Sequence, residues 1–366
     1  MFDTESLNIN KSLNMKIFIL LISLFIVSHT HAQQDDEKRI KLGAYYFAGW
    51  AGENAKYDGT PENAWAKGMP GNATEKLVTE YSNRMPPWGW RDDAPGIMEH
   101  QIDLAADHGI SFFSFCWYWS DNRGPINKEA ISTSRLHQAM QRFMKAENNH
   151  RMEFSILVAN HSGFEIIGTQ AWKDAADCWI ELFKHPRYLK VNGKPLVTIF
   201  SPQTVDADGV TYLQESARKA GFPGVDLACC GKGDPKIFSF RTRYNVIPGY
   251  GKPDEEHPYS ELVLAHAKEW YGTPQQPCIP EATVSWDARA RGTKSWYYTG
   301  STPEAFDIFL TWMIQWMEEH PEQVTKDRLA VVCAWNELDE GSILIPTKDD
   351  PDGEYLKIIK RVVYRK

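Results

Sequence analysis

A single-domain (β/α)8 TIM barrel is the fold class this sequence predicts, and three observations predict it. Eight short apolar runs recur between residues 41 and 336, each followed by a helix-like segment or a long excursion. The runs are continuously apolar rather than alternating, as parallel strands covered on both faces are. The chain has 366 residues, 42% of them hydrophobic, which suits one large α/β barrel with a filled core. A doubly wound sheet is the architectural alternative, but no Gly-rich phosphate loop follows the first run. No internal repeat or low-complexity tract interrupts the pattern.

The elements follow in order. KLGAYYFAGW (41–50) is the first strand, and 51–95, rich in Gly, Pro, Asn and Trp, is a loop excursion. GIMEHQIDLAADHG (96–109) has apolar residues at helical spacing and stops at Gly109, a residue suited to a left-handed helix end. ISFFSFCWYW (110–119) is the second strand, and Lys128 to Ala146 reads as a helix. MEFSILVAN (152–160), PLVTIF (195–200) and VDLACC (225–230) are strands three to five, with helices over 171–184 and 208–221 between them. YNVIPGY (244–250) is a weaker sixth strand, and IPEATVSW (279–286) is the seventh, after a helix over 260–272. PEAFDIFLTWMIQWMEE (303–319) is a helix, LAVVCAWN (329–336) is strand eight, and GEYLKIIKRVV (353–363) is the closing helix.

The N-terminus predicts export. Met15 and Lys16 precede the apolar run IFILLISLFIV, and SHTHA ends at Ala32. A charged start, a short apolar core and a small-residue end make a secretory signal over 1–32, with Met15 as an alternative start. The run is shorter than the ~20 apolar residues of a membrane span. The mature domain is then 33–366, secreted or periplasmic, with no membrane span and expected as a monomer. Removing 1–32 takes two Lys and two acids, so the net charge stays at −8. That balance argues against a nucleic-acid partner, which needs clustered cations to neutralise phosphates. Of the six cysteines, Cys116, Cys229, Cys230 and Cys333 lie in apolar runs, as small buried hydrophobes do. Their spacing matches no metal knuckle, and one disulfide stays open.

In a (β/α)8 barrel the reacting residues gather at the C-terminal ends of the strands. Tyr45 and Tyr46 end strand one, Trp119 ends strand two, and Asn160 and His161 end strand three. Trp286 and Asp287 end strand seven, with Arg289 just beyond. Trp335, Asn336, Glu337 and Glu340 follow strand eight in AWNELDEGSILIP (334–346). Paired carboxylates among aromatic walls suit glycoside cleavage, in which one acid protonates the leaving oxygen and the other supports the reacting carbon. If one helical turn follows Glu337, the two acids share a face with Cβ atoms about 5–6 Å apart. That is near the roughly 5–5.5 Å carboxyl separation of retaining enzymes. The plainer alternative has Glu340 capping a helix and Glu337 paired with a basic residue. TKDDPDGEY (347–355) fails as a calcium loop, because Lys348 and Ile359 fall on the first and last ligand positions. It reads as a solvated loop capping the last helix. No cofactor or metal motif is visible.

WNELDEG resembles the W-N-E-W-x-E-G motif of glycoside hydrolase family 99 and its WbsX-like relatives, among them endo-α-mannosidases and mannanases. DAPGIMEHQIDLAADHGISFFSFCWYW, HPRYLKVNGKPLVTIF (185–200) and SWDARAR (285–291) resemble further segments of the same group, the last its W-D-N-x-x-R stretch. The resemblance implies a (β/α)8 barrel that cleaves α-linked, mannan-like glycans with retention. It implies Glu337 as the base acting on the sugar's own 2-hydroxyl, through a 1,2-anhydro intermediate, and Glu340 as acid and then base. Tyr45, Tyr46, Trp119, His161, Trp286, Asp287, Arg289, Trp335 and Asn336 are the candidate sugar contacts. Leu338 and Asp339 depart from the family pattern, Leu338 standing where Trp is usual, which leaves mannan specificity open. Two other readings stand beside the hydrolase: a carbohydrate-binding protein on an inactive barrel, and a WbsX-like glycosyltransferase.

Overall fold

Eight parallel strands run Lys41–Tyr46 (β1), Phe112–Trp117 (β2), Glu153–Val158 (β3), Lys194–Ile199 (β4), Asp226–Cys230 (β5), Phe240–Thr242 (β6), Glu281–Thr283 (β7) and Leu329–Cys333 (β8). They are seen in a computed structural model that describes residues 40–121, 124–125, 127–272 and 276–365. The expected signal segment lies outside those residues. Residues 41–366 form one compact unit.

The strand order is β7-β8-β1-β2-β3-β4-β5-β6. Gly43 pairs with Phe112 across β1 and β2 and with Val331 across β1 and β8. The two ends of this order meet beside Arg241. Its amide donates to Pro277 O at 3.0 Å, and its carbonyl accepts from Ile279 N at 2.9 Å, just ahead of β7. The ring of strands is thereby drawn round into a barrel.

The packing explains the apolar runs. Every residue of β2 is buried, which only a strand covered on both faces requires. A Cβ on Gly43 would lie 2.3 Å from the Phe112 ring, so the absent side chain makes room for a neighbouring aromatic. Helices Ile97–Asp107 (α1), Gln138–Lys145 (α2), Thr169–Phe183 (α3), Ala207–Lys219 (α4), Tyr259–Trp270 (α5), Pro303–Glu319 (α6) and Glu354–Val363 (α7) accompany the strands. Gly109 ends the α1 segment at φ +91°. Asp206 caps α4 by accepting from Gly209 N, and Thr302 caps α6 by accepting from Ala305 N. Asp350 accepts from Glu354 N at 2.9 Å, so the acidic 347–355 loop does cap α7.

Two expectations need correction. The sixth strand is Phe240–Thr242, ahead of the expected 244–250, which runs as a loop through Pro248, a residue with no N–H for a ladder. Arg241 hides the true strand in the sequence. Its guanidinium donates to Glu269 O and Trp270 O at the end of α5, satisfying carbonyls that a helix leaves open. The helix expected over 128–146 is two, Lys128–Ile131 and α2, with a single tight turn at Arg135–His137 between them. Ser134 starts that turn by accepting from Leu136 N, as short hydroxyl side chains do in competition with a continuous helix.

Cys116, Cys178, Cys229, Cys230, Cys278 and Cys333 are free thiols. No described helix is long and apolar enough to cross a membrane.

Candidate active site

Beyond Cys333 the chain leaves the barrel and folds into a small hairpin. Asn336 pairs with Ile343 and Glu337 with Ser342, antiparallel, and Gly341 takes φ +73° at the tip. The helical turn expected after Glu337 is therefore a hairpin, because Ser342 and Ile343 pair back onto Asn336 and Glu337. The hairpin still carries both acids into the interior: Glu337 is 3% exposed and Glu340 6%.

Two partners hold Glu337. Its Oε1 accepts a hydrogen bond from the Tyr244 hydroxyl, and its Oε2 lies 3.8 Å from Arg291 Nη2. Arg291 Nη1 donates to Glu340 Oε1, and Arg291 Nε donates to Asp339 Oδ2 at 2.9 Å. One guanidinium thus serves three carboxylates, while lying over the Phe47 ring at 5.7 Å. Glu337 Oε2, Asp339 Oδ1 and Glu340 Oε2 are buried with no hydrogen-bond partner. In a folded protein such oxygens are uncommon, and here they leave three acceptors open to a water or a ligand.

The electrostatics follow from this crowding. Burial, then repulsion from Glu340, raises the Glu337 pKa well above the usual carboxylate range, against the pull of Arg291. Burial also raises Glu340, to about 7, with Arg291 opposing and Asp339 adding to the rise. Two acids this close titrate as a pair and hold one proton between them near neutrality. Because Arg291 bonds Glu340 directly and reaches Glu337 only at 3.8 Å, the free site favours that proton on Glu337.

Around the pair stands a brace. Asp287 N donates to Glu340 O at 2.7 Å. Arg84 Nη1 donates to Asp287 O at 3.0 Å and to Leu338 O at 3.2 Å, and its Nη2 reaches Asp287 Oδ2 at 2.8 Å. Arg289 also pairs with Asp287, at 2.8 Å, and lies 3.5 Å over the Tyr297 ring. Asn336 holds the β1 end, accepting from Phe47 N and donating to Phe47 O. Trp335 donates from Nε1 to Gln101 of α1 at 2.6 Å, and Tyr46 donates to Asp92 at 2.9 Å.

The sequence-predicted residues therefore divide. Glu337 and Glu340 meet through the shared Arg291, and Asp287 joins them by its backbone bond to Glu340. Tyr45 is buried with its hydroxyl donating to Arg243 O at 2.9 Å, and its ring lies 4.8 Å from that of Tyr244, the partner of Glu337, tilted by 38°. His161 is half-buried, 5.5 Å from Phe200, which lies 5.9 Å from Tyr244. Trp119 is 8% exposed against Trp117. Tyr46, Trp335 and Asn336 are buried with their polar groups bonded within the protein, as is Trp286, which donates to Ser295 Oγ at 3.0 Å. Sequence reasoning passed over Tyr244, Arg291 and Asp339. Tyr244 stood inside the segment read as strand six. Arg291 is the final residue of SWDARAR, at the arginine position of the W-D-N-x-x-R pattern.

With the geometry in place, comparison with known proteins adds three findings. The profile of the family described as Glycosyltransferase WbsX matches residues 90–248 and 252–359. An uncharacterized protein WxcX of Xanthomonas campestris pv. campestris (strain B100) is 21% identical over 329 residues, covering 78% of this chain. The chain spans only 45% of that relative's length. Among solved structures, a glycoside hydrolase-like protein superposes with a TM-score of 0.58 at 14% identity, covering 89% of this chain and 94% of the other. A GH99 endo-alpha-mannosidase from Bacteroides thetaiotaomicron superposes with a TM-score of 0.56 at 12% identity, covering 88% and 95%. At those identities the likeness establishes the barrel fold.

Proposed function

The chain belongs to the WbsX family, and from that premise we propose that it is a glycoside hydrolase cleaving α-linked, mannan-like glycans with retention of configuration. One observation carries the reading. Two glutamates sit buried beyond the last barrel strand, each with an oxygen free of hydrogen bonds and a pKa raised by burial.

The proposed chemistry runs in two steps. Glu337 takes the proton from the sugar's 2-hydroxyl, and O2 attacks the anomeric carbon. Glu340 gives its proton to the glycosidic oxygen as the bond to the anomeric carbon breaks. The product is a 1,2-anhydro sugar. In the second step Glu340 takes a proton from water, whose oxygen attacks the anomeric carbon. The three-membered ring opens, and O2 recovers its proton from Glu337. Two inversions give net retention. The resemblance of WNELDEG to the family motif supports these roles. The value of about 7 for Glu340 suits a group that must give and retake a proton near neutrality. The roles require the shared proton to rest on Glu340 when a sugar is bound. A 2-hydroxyl presented to Glu337 Oε2 is a donor that favours that arrangement.

The apolar run IFILLISLFIV after Lys16 supports export, so the substrate is an extracellular or periplasmic glycan. The family name favours a second reading, transfer from an activated sugar donor at the same site. Incubation of the chain from Gln33 onward with α-mannans, α-glucans and N-glycans, in the absence of any nucleotide sugar, separates the two. The hydrolase reading expects oligosaccharide products of retained configuration, lost in Glu340→Gln. Product formation only when a nucleotide sugar is added would overturn it.

A further inference from the structure

Tyr250 is a large aromatic side chain left 62% exposed on the loop that follows the C-terminal end of β6, the face where the acid pair lies. The turn beneath it is firmly built. Lys252 N donates to Gly249 O at 3.0 Å, Gly251 N to Lys294 O at 3.0 Å, and Trp296 N to Gly249 O at 3.3 Å. Tyr250 pairs with Ser295 across these bonds. A Cβ on Gly249 would lie 2.1 Å from the Trp296 ring, so the turn is pressed onto that indole.

The ring is also tied to the chemistry. It lies 6.2 Å from the Trp286 ring, tilted by 52°. Trp286 is fixed by its bond to Ser295, and the next residue, Asp287, donates its amide to Glu340 O. One ring contact and one hydrogen bond to the Glu340 carbonyl thus connect Tyr250, through Trp286 and Asp287, to the Glu340 end of the pair. An exposed phenol held at a fixed place, with an apolar face and a polar edge, matches the C–H face and hydroxyl rim of a pyranose ring. It carries no charge, so it selects for ring shape rather than for an anion.

We infer that Tyr250 is a stacking platform for a sugar ring of the glycan on the Glu340 side of the scissile bond. This rests on the proposed role of Glu340 as the acid, because the acid faces the leaving sugar. The platform then holds the leaving portion of a longer chain and makes cleavage internal rather than terminal.

The test compares Tyr250→Ala and Tyr250→Phe on α-manno-oligosaccharides from disaccharide to hexasaccharide and on an aryl α-mannoside, whose leaving group is no sugar. Tyr250→Ala should lower kcat/KM for the hexasaccharide about tenfold more than for the aryl glycoside, and Tyr250→Phe should stay near wild type. Equal loss on both substrates, or loss on neither, overturns the platform while the hydrolase reading stands. If the wild type cleaves none of the series, the hydrolase reading fails on these glycans, and binding decides the platform. Hexasaccharide affinity is then compared between Glu340→Gln and Glu340→Gln/Tyr250→Ala. About tenfold weaker binding in the double variant supports the platform. Equal affinity, or no binding by either, overturns it.

Discussion

Arg291 bonds Glu340 through Nη1 while standing 3.8 Å from Glu337, so one cation is shared unevenly between the two acids. It is the only cation paired with either acid among the described ion pairs. Its removal leaves burial and mutual repulsion opposed only by the Tyr244 hydroxyl at Glu337, and both carboxyls rise further. In the proposed first step Glu340 must be protonated and Glu337 ionised, so activity is bounded below by one and above by the other. Arg291→Met should therefore move the whole pH profile of kcat/KM to higher pH and lower the rate at neutral pH by about tenfold or more. An unshifted profile would show that Arg291 does not set the protonation of the pair.

Replacing the acids tests the chemistry and the stability together. Glu337→Gln and Glu340→Gln should each lower kcat about 10²–10⁴-fold on a natural glycan, the usual range for a lost acid or base. Glu340→Gln should retain more of its rate on an aryl glycoside whose leaving group needs no proton. Thermal unfolding across pH adds an independent readout. Glu340 titrates near 4.5 when unfolded and about 7 when folded. Stability from its protonated form is fully present below pH 4.5 and is lost as pH rises through about 7. Glu337 acts in the same direction, and the two acids share the effect because they titrate as a pair. The wild type should lose stability between those limits, and Glu340→Gln should flatten the slope.

The legibility of this site has a physical limit. Strands buried on both faces betray themselves as unbroken apolar runs, so seven of the eight stood out near their observed places. The sixth did not, because Arg241 and Arg243 flank Thr242 and their charges are answered by α5, at Glu269 and Trp270. The two glutamates are legible because they are near neighbours at a strand end. Tyr244 and Arg291 are not, since they lie 93 and 49 residues from their carboxylate partners. No local period links residues so far apart. Sequence reasoning likewise assigned Tyr46, Trp335 and Asn336 to the sugar. Only the fold shows their polar groups turned to Asp92, Gln101 and Phe47.

Tyr244 offers a cleaner single-atom test. Its hydroxyl donates to Glu337 Oε1 and also lies 3.9 Å from the Cys116 sulfur. A hydrogen bond to a charged group contributes about 1.5–3 kcal/mol. Tyr244→Phe keeps the ring, so its tilted contact with Tyr45 survives and only the donor is lost. Without that donor the ionised form of Glu337 is less favoured, and because the free site keeps the shared proton on Glu337, the alkaline limb of the kcat/KM profile should move upward. kcat/KM should fall about tenfold or more, with a melting temperature near that of the wild type. A large drop in melting temperature with an unmoved pH profile would assign the hydroxyl to folding instead.

A buried acid behind β1 provides the last prediction. Asp92 is 3% exposed, burial raises its pKa to about 7, and Tyr46 donates to its Oδ2 at 2.9 Å. Its Oδ1 has no hydrogen-bond partner. Tyr46→Phe would take away the side-chain donor that offsets this burial, at a cost of about 1–3 kcal/mol when Asp92 is ionised. The raised pKa fixes the sign. Stability linked to protonated Asp92 is present below its unfolded pKa of 3.8 and is lost as pH rises through about 7. Tyr46→Phe raises the folded pKa further. The variant should therefore lie close to the wild type at pH 5 and fall below it at pH 8. Urea unfolding at both pH values checks this. An equal deficit at both would attribute the loss to ring packing rather than to the Asp92 charge.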